Sequence, residues 1–182
     1  MGTLRAASAY TKRNVTPYTR VSKRRQKSYI KTVPAQKIVK FTMGKKMEEK
    51  KLKHILKIVT AEKQMQIRHN AMEACRQFIN KKLEKELNGN YGFKILPFPH
   101  HIQRENKMIT GAGADRMQTG MQLSYGKSMG KAAIVKEGKC IFLMALPDER
   151  AVVFARKIIK QVKPKIPGRT KVTYEKLKWF LK

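Results

Sequence analysis

The sequence predicts an α+β domain in which two amphipathic helices pack on an antiparallel or mixed sheet. Two long segments, residues 66–87 and 147–163, repeat apolar residues at helical spacing. Several shorter segments alternate apolar and polar residues, as half-buried strands do. Glycine, proline and asparagine punctuate these segments, and the hydrophobic fraction of 41% is sufficient for a core.

The first elements are two predicted strands, residues 38–43 and 54–60, separated by a lysine-rich loop. Alternation in the first strand would place Val39, Phe41 and Met43 on one face. The alternation in the second strand runs through its leucine and isoleucine residues, which predicts one buried face.

The first helix is predicted over residues 66–87. Its apolar stripe consists of Ile67, Ala71, Cys75, Phe78, Ile79 and Leu83. Asn88 and Gly89 follow, and both residue types favour the left-handed conformation that ends helices. We therefore place the helix end at Leu87.

The remaining predicted strands are residues 93–98, 101–106, 131–136, 139–146 and 170–174. Glu137 and Gly138 join two of them with a two-residue turn, which predicts a hairpin. The second helix has Pro147 at its first position and Asp148 and Glu149 in its positive first turn, and Pro164 ends it. Its buried stripe is Val152, Ala155, Ile158, Ile159 and Val162.

The charge balance indicates a polyanionic partner. Lys and Arg total 42 against 12 Asp and Glu, a formal charge of +30. Such a charge destabilises a compact particle unless anions surround it. No run of eighteen apolar residues predicts a membrane span, and the first ten residues lack a secretory apolar segment. Two cysteines make neither a disulfide framework nor a four-ligand zinc site, so a reducing cytoplasm is expected.

The positive charge is concentrated at the N-terminus. The first 47 residues contain thirteen cations and no acid. Residues 1–36 have no regular period, and they interleave Tyr10, Tyr18 and Tyr29 with the cations. We predict an extended basic arm, residues 1–36, that folds against RNA phosphates, followed by a single α+β domain, residues 37–182.

A glycine-rich segment, residues 107–122, has almost no apolar periodicity and predicts a long functional loop. Gly111, Gly113 and Gly120 would allow close backbone approach to a polymer. Hydrogen-bonding side chains such as Arg116 lie among them. Asp115, beside this arginine, is interpreted as a loop-internal ion pair or capping group.

The glycine and histidine residues do not have the spacing that known enzyme and metal-binding motifs require. A dinucleotide fingerprint would need a third glycine where Arg116 stands, and a phosphate-binding P-loop would need glycine in place of Met121. Adjacent strand residues such as His100 and His101 point to opposite faces and do not chelate a metal together. The sequence therefore predicts no catalytic residue, cofactor or metal, and Lys127 extends the basic surface.

Several motifs resemble a known family. The most specific lie in the loop: Asn106-Lys-Met108, Gly111-Ala-Gly-Ala-Asp-Arg116, Gln118-Thr-Gly-Met121 and Gly126-Lys127. Further matches include Pro17-Tyr-Thr-Arg20, Gln66-Ile-Arg-His-Asn-Ala71 and Pro167-Gly-Arg169. The chain resembles the large-subunit ribosomal protein family called sixteen in bacteria and ten-e in archaea and eukaryotes, most of all its archaeal form. It departs at Gln122, Ser128 and Lys131, where arginine, proline and threonine are usual.

The resemblance implies an α/β hammerhead-like sandwich in a cytoplasmic ribosome. It implies binding to 23S-type large-subunit rRNA near 5S rRNA and the A-site tRNA path, beside neighbouring ribosomal proteins. The glycine-rich loop would reach toward the peptidyl-transferase region and P-site tRNA, positioning RNA without catalysing peptide transfer. Matching positions assign Lys107, Arg116, Gln118 and Thr119 to these contacts.

The predicted RNA-binding residues come from the basic arm, the glycine-rich loop and the motifs shared with this family. They comprise Arg5, Arg13, Arg20, Arg24, Arg25, Lys27, Arg68, His69, Arg104, Lys107, Arg116, Gln118, Thr119, Lys127 and Arg169. A free-standing basic RNA-binding or RNA-modifying factor is the alternative, although modification would need a carboxylate cluster or cofactor loop. A membrane-surface protein is disfavoured because both helices carry core-type stripes.

Overall fold

The computed structural model describes residues 8–11, 15–19, 30, 32–45, 52–106, 111 and 126–177. Its helices are α1 (Ser8–Thr11), α2 (His69–Leu87), α3 (Glu149–Val162) and a 3-10 turn (Lys163–Lys165). Its strands are β1 (Thr42–Gly44), β2 (His54–Thr60), β3 (Gln64–Arg68), β4 (Gly92–Ile95), β5 (His101–Glu105), β6 (Lys127–Lys136), β7 (Cys140–Leu146) and β8 (Thr170–Lys176). Within these ranges, no helix combines the length and apolar character that crossing a bilayer requires.

The strands form two sheets, and every described strand pair is antiparallel. One sheet has five strands in the order β1-β4-β7-β2-β8, and the other has three in the order β3-β6-β5. The predicted α+β class with two amphipathic helices and antiparallel pairing is confirmed. The expectation of one sheet is corrected to two.

The predicted hairpin between residues 131–136 and 139–146 is wrong. β6 pairs with β3 and β5, whereas β7 pairs with β4 and β2, so each strand is already flanked on both sides. The turn at Glu137 and Gly138 instead carries the chain from one sheet to the other. Gly138 has φ of +73° and donates its N–H to the carbonyl of Thr60 at 3.1 Å. Glu137 and Gly138 do form a tight turn, as their residue types predict, but a turn alone does not specify which strands pair.

The apolar core is formed by α2 and α3 together with both sheets, including Met65 and Ile67 of β3 and Val135 of β6. β2 alternates buried and half-buried residues as predicted, with Leu56 and Ile58 fully buried. β7 contributes Phe142 and Met144 to the same core. α3 buries the predicted stripe and adds Ala151 to it. These elements follow their sequence periods because each presents one face to hydrocarbon.

The first long helix begins later than its periodicity indicates. Residues 64–68 form β3, in which Ile67 lies opposite Ala133 of β6, so α2 starts at His69. Tertiary pairing with β6 overrides the helical spacing there. Within the predicted stripe, Ala71 and Phe78 are only half-buried. The predicted end is confirmed, since Asn88 adopts the left-handed conformation with φ of 44°.

The predicted strand over residues 38–43 shortens to β1, Thr42–Gly44. Val39 is 73% exposed, so the expected common face of Val39, Phe41 and Met43 does not form. Pairing with β4 starts only where Thr42 meets Lys94. Gly44 ends β1 with φ of +75°, and a Cβ there would lie 2.0 Å from the Tyr91 carbonyl oxygen.

Candidate nucleic-acid interface

The three-stranded sheet carries three of the predicted RNA-binding residues. Arg68 ends β3, Arg104 lies in β5, and Lys127 begins β6. β5 and β6 are neighbours, and their ends meet where Glu105 lies opposite Lys127. The two ends of the glycine-rich segment are therefore attached to neighbouring strands at one end of this sheet.

The N-terminal segment contacts both edge strands of the same sheet, β5 and β3. Ile102 of β5 donates its backbone N–H to the Tyr18 carbonyl at 2.9 Å. The Tyr18 N–H in turn donates to His101 Nδ1 at 2.9 Å. On β3, the Gln64 side-chain amide donates to the Val15 carbonyl at 3.2 Å. The bond from Ile102 covers part of the free β5 edge, which would otherwise present unpaired backbone groups.

Two arginines of the sheet lie over tyrosine rings of the N-terminal segment. The Arg104 guanidinium carbon is 3.8 Å from the centroid of the Tyr18 ring. The Arg68 guanidinium carbon is 4.6 Å from the centroid of the Tyr10 ring. Such cation–π contacts fix the guanidinium plane and leave its positive charge in place. Both arginines are thereby oriented at the sheet surface.

A cleft of about 510 Å³ opens beside Arg104, within the size range of ligand sites. Its described lining residues are Tyr18, Ile30, Thr32, Arg104, Gly126, Lys127 and Ser128, and none of them is acidic. Ser128 Oγ donates to the Thr32 carbonyl at 2.7 Å, which holds the N-terminal segment against β6. The cleft combines an aromatic wall with two cations, a composition suited to an unpaired nucleotide.

Close packing shapes this cleft at Gly126. A Cβ at that position would lie 2.9 Å from the Arg104 Cβ and 3.2 Å from the Glu105 backbone nitrogen. Any larger residue would therefore push β6 away from β5 at the root of the glycine-rich segment. Glycine here maintains the close approach of two strand ends.

The N-terminus of α2 is a second positive feature of the sheet. Arg68 is its N-cap residue, no side chain caps it, and its first turn contains no acid. The positive end of the helix dipole together with this arginine favours an anion. His69, predicted to bind RNA, is buried, and burial followed by the charges of Lys37 and Lys131 lowers its pKa. The structure places its imidazole inside the molecule.

His101 is buried and contributes to the interface by binding the backbone of Tyr18, not by facing solvent. Burial, followed by the charges of His100 and Arg104, lowers the pKa of His101 to about 4. The neutral ring leaves Nδ1 free to accept the Tyr18 N–H. His100 makes a separate contact, its Nδ1 lying 3.0 Å from the Phe98 carbonyl oxygen. Across the described ranges, no three His, Cys, Asp or Glu side chains converge as a metal centre would need.

The other predicted site residues are dispersed or lie elsewhere. Arg169 is exposed before β8, and its N–H donates to Glu62 Oε1 at 3.3 Å, away from the cleft. Gly111 is exposed. The remaining residues lie outside the described part of the chain: Arg5, Arg13, Arg20, Arg24, Arg25, Lys27, Lys107, Gly113, Asp115, Arg116, Gln118, Thr119 and Gly120.

Sequence reasoning missed how the cleft is assembled. Ile30, Thr32 and Ser128 carry no local signal of a binding site, because their role depends on segments almost a hundred residues apart. Tyr18 was predicted to contact RNA, but its packing under Arg104 was not. The glycine at position 126, next to a lysine, was the only local indication of a tight strand end.

Comparison with known proteins supplies the family. The family model described as Ribosomal protein L16p/L10e matches residues 16–173. The protein named large ribosomal subunit protein uL16 from Staphylothermus marinus is 39% identical over 180 residues, 98% of each chain. Its namesake from Sulfolobus acidocaldarius is 39% identical over 172 residues, 93% of this chain and 92% of that one. Another from Methanoculleus marisnigri is 48% identical over 118 residues, 64% and 68% of the two chains.

These matches confirm the resemblance that the loop and helix motifs indicated, including its archaeal form. They also confirm that the protein is a non-enzymatic component of the ribosome. The family model spans both sheets and both long helices. The chain therefore belongs to the ribosomal protein L16p/L10e family.

Proposed function

We propose that this protein is a structural constituent of the large ribosomal subunit and binds its rRNA through the three-stranded sheet. The interface comprises the basic arm, residues 1–36, the cleft beside Arg104, and the root of the glycine-rich loop, residues 107–122. The protein joins these three parts to an apolar body, so that RNA contacts are held in a fixed geometry.

The observation that carries the proposal is the cleft. Arg104 and Lys127 bring two cations to its wall, and the Tyr18 ring adds an aromatic surface. No acid offsets these charges among the described lining residues. Phosphates bind such cations, and an unpaired base stacks on tyrosine. The acid-free run of the first 47 residues extends the same potential along the chain.

The finer placement of the protein rests on family resemblance. The interface would lie near 5S rRNA and the A-site tRNA path, among neighbouring ribosomal proteins. The loop that leaves β5 and β6 would reach toward the peptidyl-transferase region and P-site tRNA. Its side chains Lys107, Arg116, Gln118 and Thr119 would then stabilise tRNA, whereas the RNA performs the chemistry.

A salt titration tests the rRNA proposal. The full chain is titrated with a large-subunit rRNA fragment from its own organism at several salt concentrations. If six or more phosphates are neutralised, log K against log[salt] has a slope of about −4 or steeper. A slope near zero would contradict electrostatic rRNA binding.

Paired substitutions locate the interface. Arg104→Gln with Lys127→Gln removes both cleft cations, and we expect the slope to become shallower by about 1 to 2. Lys94→Gln with Lys139→Gln is the matched control, because it removes two exposed cations away from the cleft. Equal losses in the two double variants would mean that the cleft has no special role.

Deletion of residues 110–120 tests the tRNA proposal. Subunits reconstituted with this variant should assemble, because every described core residue lies outside positions 110–120. Bound tRNA should be less stable and elongation slower, while peptidyl transfer between minimal substrates stays largely intact. Complete loss of minimal-substrate transfer in correctly assembled subunits would argue for a catalytic loop instead.

A further inference from the structure

A second part of the chain is as free of acids as its N-terminus. Residues 150–174 contain eight cations and no Asp or Glu. The cations are Arg150, Arg156, Lys157, Lys160, Lys163, Lys165, Arg169 and Lys171. This segment includes most of α3, a helix of fourteen residues whose orientation against the core is fixed by its buried stripe.

The α3 cations all lie on the exposed side of the helix. Arg156, Lys157 and Lys160 are exposed, opposite the residues that α3 buries. Residues three and four apart on a helix are spaced about 6 Å. The three cations therefore form a compact cluster of like charges on one face of the helix.

The exposed side of α2 provides an internal comparison. There, Lys81, Lys82 and Lys85 alternate with Glu84 and Glu86, as is usual for a solvated helix face. The α3 face has no such acids after Glu149 at its first residue. Of the ion pairs between described residues, none includes an α3 cation. A helix face that only needs to be soluble can carry both positive and negative residues. The α3 face carries cations without acids after Glu149, and this indicates a polyanionic binding partner.

Aromatic and apolar groups lie among these cations. The Arg156 guanidinium carbon is 5.9 Å from the centroid of the Tyr174 ring on β8, which is partly exposed. Val153, in the same exposed face, is 56% exposed. At the other end, Lys165 Nζ lies 4.8 Å from the centroid of the Phe78 ring of α2. The surface thus continues from β8 across α3 to α2.

We infer that the outer face of α3, with the 3-10 turn that follows it, is a second RNA-binding surface. It contacts the phosphate backbone of a different rRNA segment from the one held at the three-stranded sheet. The inference rests on the proposed rRNA-binding function, but it concerns another side of the molecule. Two separated surfaces would let the protein bridge two rRNA segments rather than coat one.

Matched triple variants of the full chain test the inference. Arg156→Gln, Lys157→Gln and Lys160→Gln together are compared with Lys53→Gln, Lys94→Gln and Lys139→Gln, which remove the same charge from exposed positions outside both surfaces. The probe is large-subunit rRNA of the same organism, and thermal melts establish that both variants are folded. We expect the α3 variant to bind about tenfold more weakly near 0.1 M salt, with a slope shallower by about 2. The control should stay within about twofold of the wild type.

The outcomes separate this inference from the proposed function. A steep wild-type slope that neither triple variant alters would overturn the α3 surface and leave rRNA binding intact. A wild-type slope near zero would overturn both.

Lysine footprinting of the wild type provides an independent measurement. Lys157 and Lys160 should react with an acetylating reagent in the free protein and be protected in large subunits. Digesting the rRNA should restore their reactivity. Unprotected lysines in the subunit would overturn the inference. Protection that survives RNA digestion would also overturn it and assign the face to a protein neighbour.

Discussion

The two sheets share an apolar core but differ in how many polar side chains they bury. The five-stranded sheet packs its inner face on α2 and α3 through fully buried apolar side chains such as Phe93, Phe142 and Met144. The three-stranded sheet buries polar residues on its strands, among them Gln66, His101, Gln103 and Glu105. Both sheets contribute to the apolar core, the three-stranded one through Met65, Ile67 and Val135. The three-stranded sheet differs in burying more polar side chains and in contacting the N-terminal segment.

This difference separates scaffold from interface. Apolar burial is insensitive to pH and weakly sensitive to salt, so the five-stranded region provides a stable body. Buried hydrogen bonds and cation–π contacts respond to protonation and to neighbouring charge. The three-stranded sheet is therefore the region whose geometry an RNA partner can complete or alter.

The largest expected effect is in the apolar region. Phe142→Ala removes a fully buried ring that lies 5.8 Å from the Phe93 ring, and we expect a loss of about 3–5 kcal/mol in unfolding free energy. Phe78→Ala, at a half-buried position of α2, should cost less than about half as much. Denaturant melts measure both. Equal losses would mean that the two positions are packed alike.

The next effect is an acid sensitivity of the three-stranded region. Folded His101 has a pKa of about 4, below the unfolded value of 6.5, so the unfolded chain binds the extra proton first. Stability from this residue is complete above pH 6.5 and falls as the pH drops toward 4. We expect about 2 kcal/mol to be lost by pH 5.

The control for this effect is His101→Asn, which cannot titrate in this range. Denaturant melts at several pH values should show a smaller loss between pH 7 and pH 5 for the variant than for the wild type. An identical pH profile would place the acid sensitivity in other groups. The hydrogen bond from Arg76 holds the pKa of the Glu73 carboxyl below its usual value.

A smaller effect is expected at the buried amide pair. Gln103 Nε2 donates to Gln66 Oε1 at 3.2 Å between β5 and β3 side chains. Gln103→Leu leaves the Gln66 oxygen without this donor and should cost about 1–3 kcal/mol. Adding Gln66→Leu should recover much of that loss, since two apolar side chains can pack together. A double-mutant cycle by thermal melts measures the coupling, and additive losses would exclude it.

The smallest expected effect has the opposite sign. Lys160→Gln removes one positive charge beside Arg156 and Lys157 on the exposed face of α3. Because this relieves repulsion between like charges, the free protein should gain about 0.2–0.5 kcal/mol of stability. Lys82→Gln on α2, where acids are interspersed, should change stability less. Melts at low salt reveal the difference, and it should vanish at high salt. A marked loss for Lys160→Gln would show that this lysine stabilises the fold.

Local pattern predicted the elements that present one face to the core. β2, α3 and the end of α2 agree with their predicted bounds within a few residues, because burial on one side imposes a period of two or 3.6. β3 was not predicted, because Ile67 also fits the apolar stripe of the helix predicted over residues 66–87. β1 was overextended because Val39 and Phe41 alternate correctly without a partner strand. The glycine-rich loop and the arm remain predictions over most of their length.

The sequence by itself determined the charge segregation, the α+β class and the family, since composition, periodicity and motif spacing are properties of neighbouring residues. Only the tertiary structure decided that β6 and β7 belong to different sheets and that the Tyr18 N–H meets His101, 83 residues away. The cleft beside Arg104 also exists only after these segments meet. Strand pairing and clefts depend on contacts between distant parts of the chain, which no local pattern specifies.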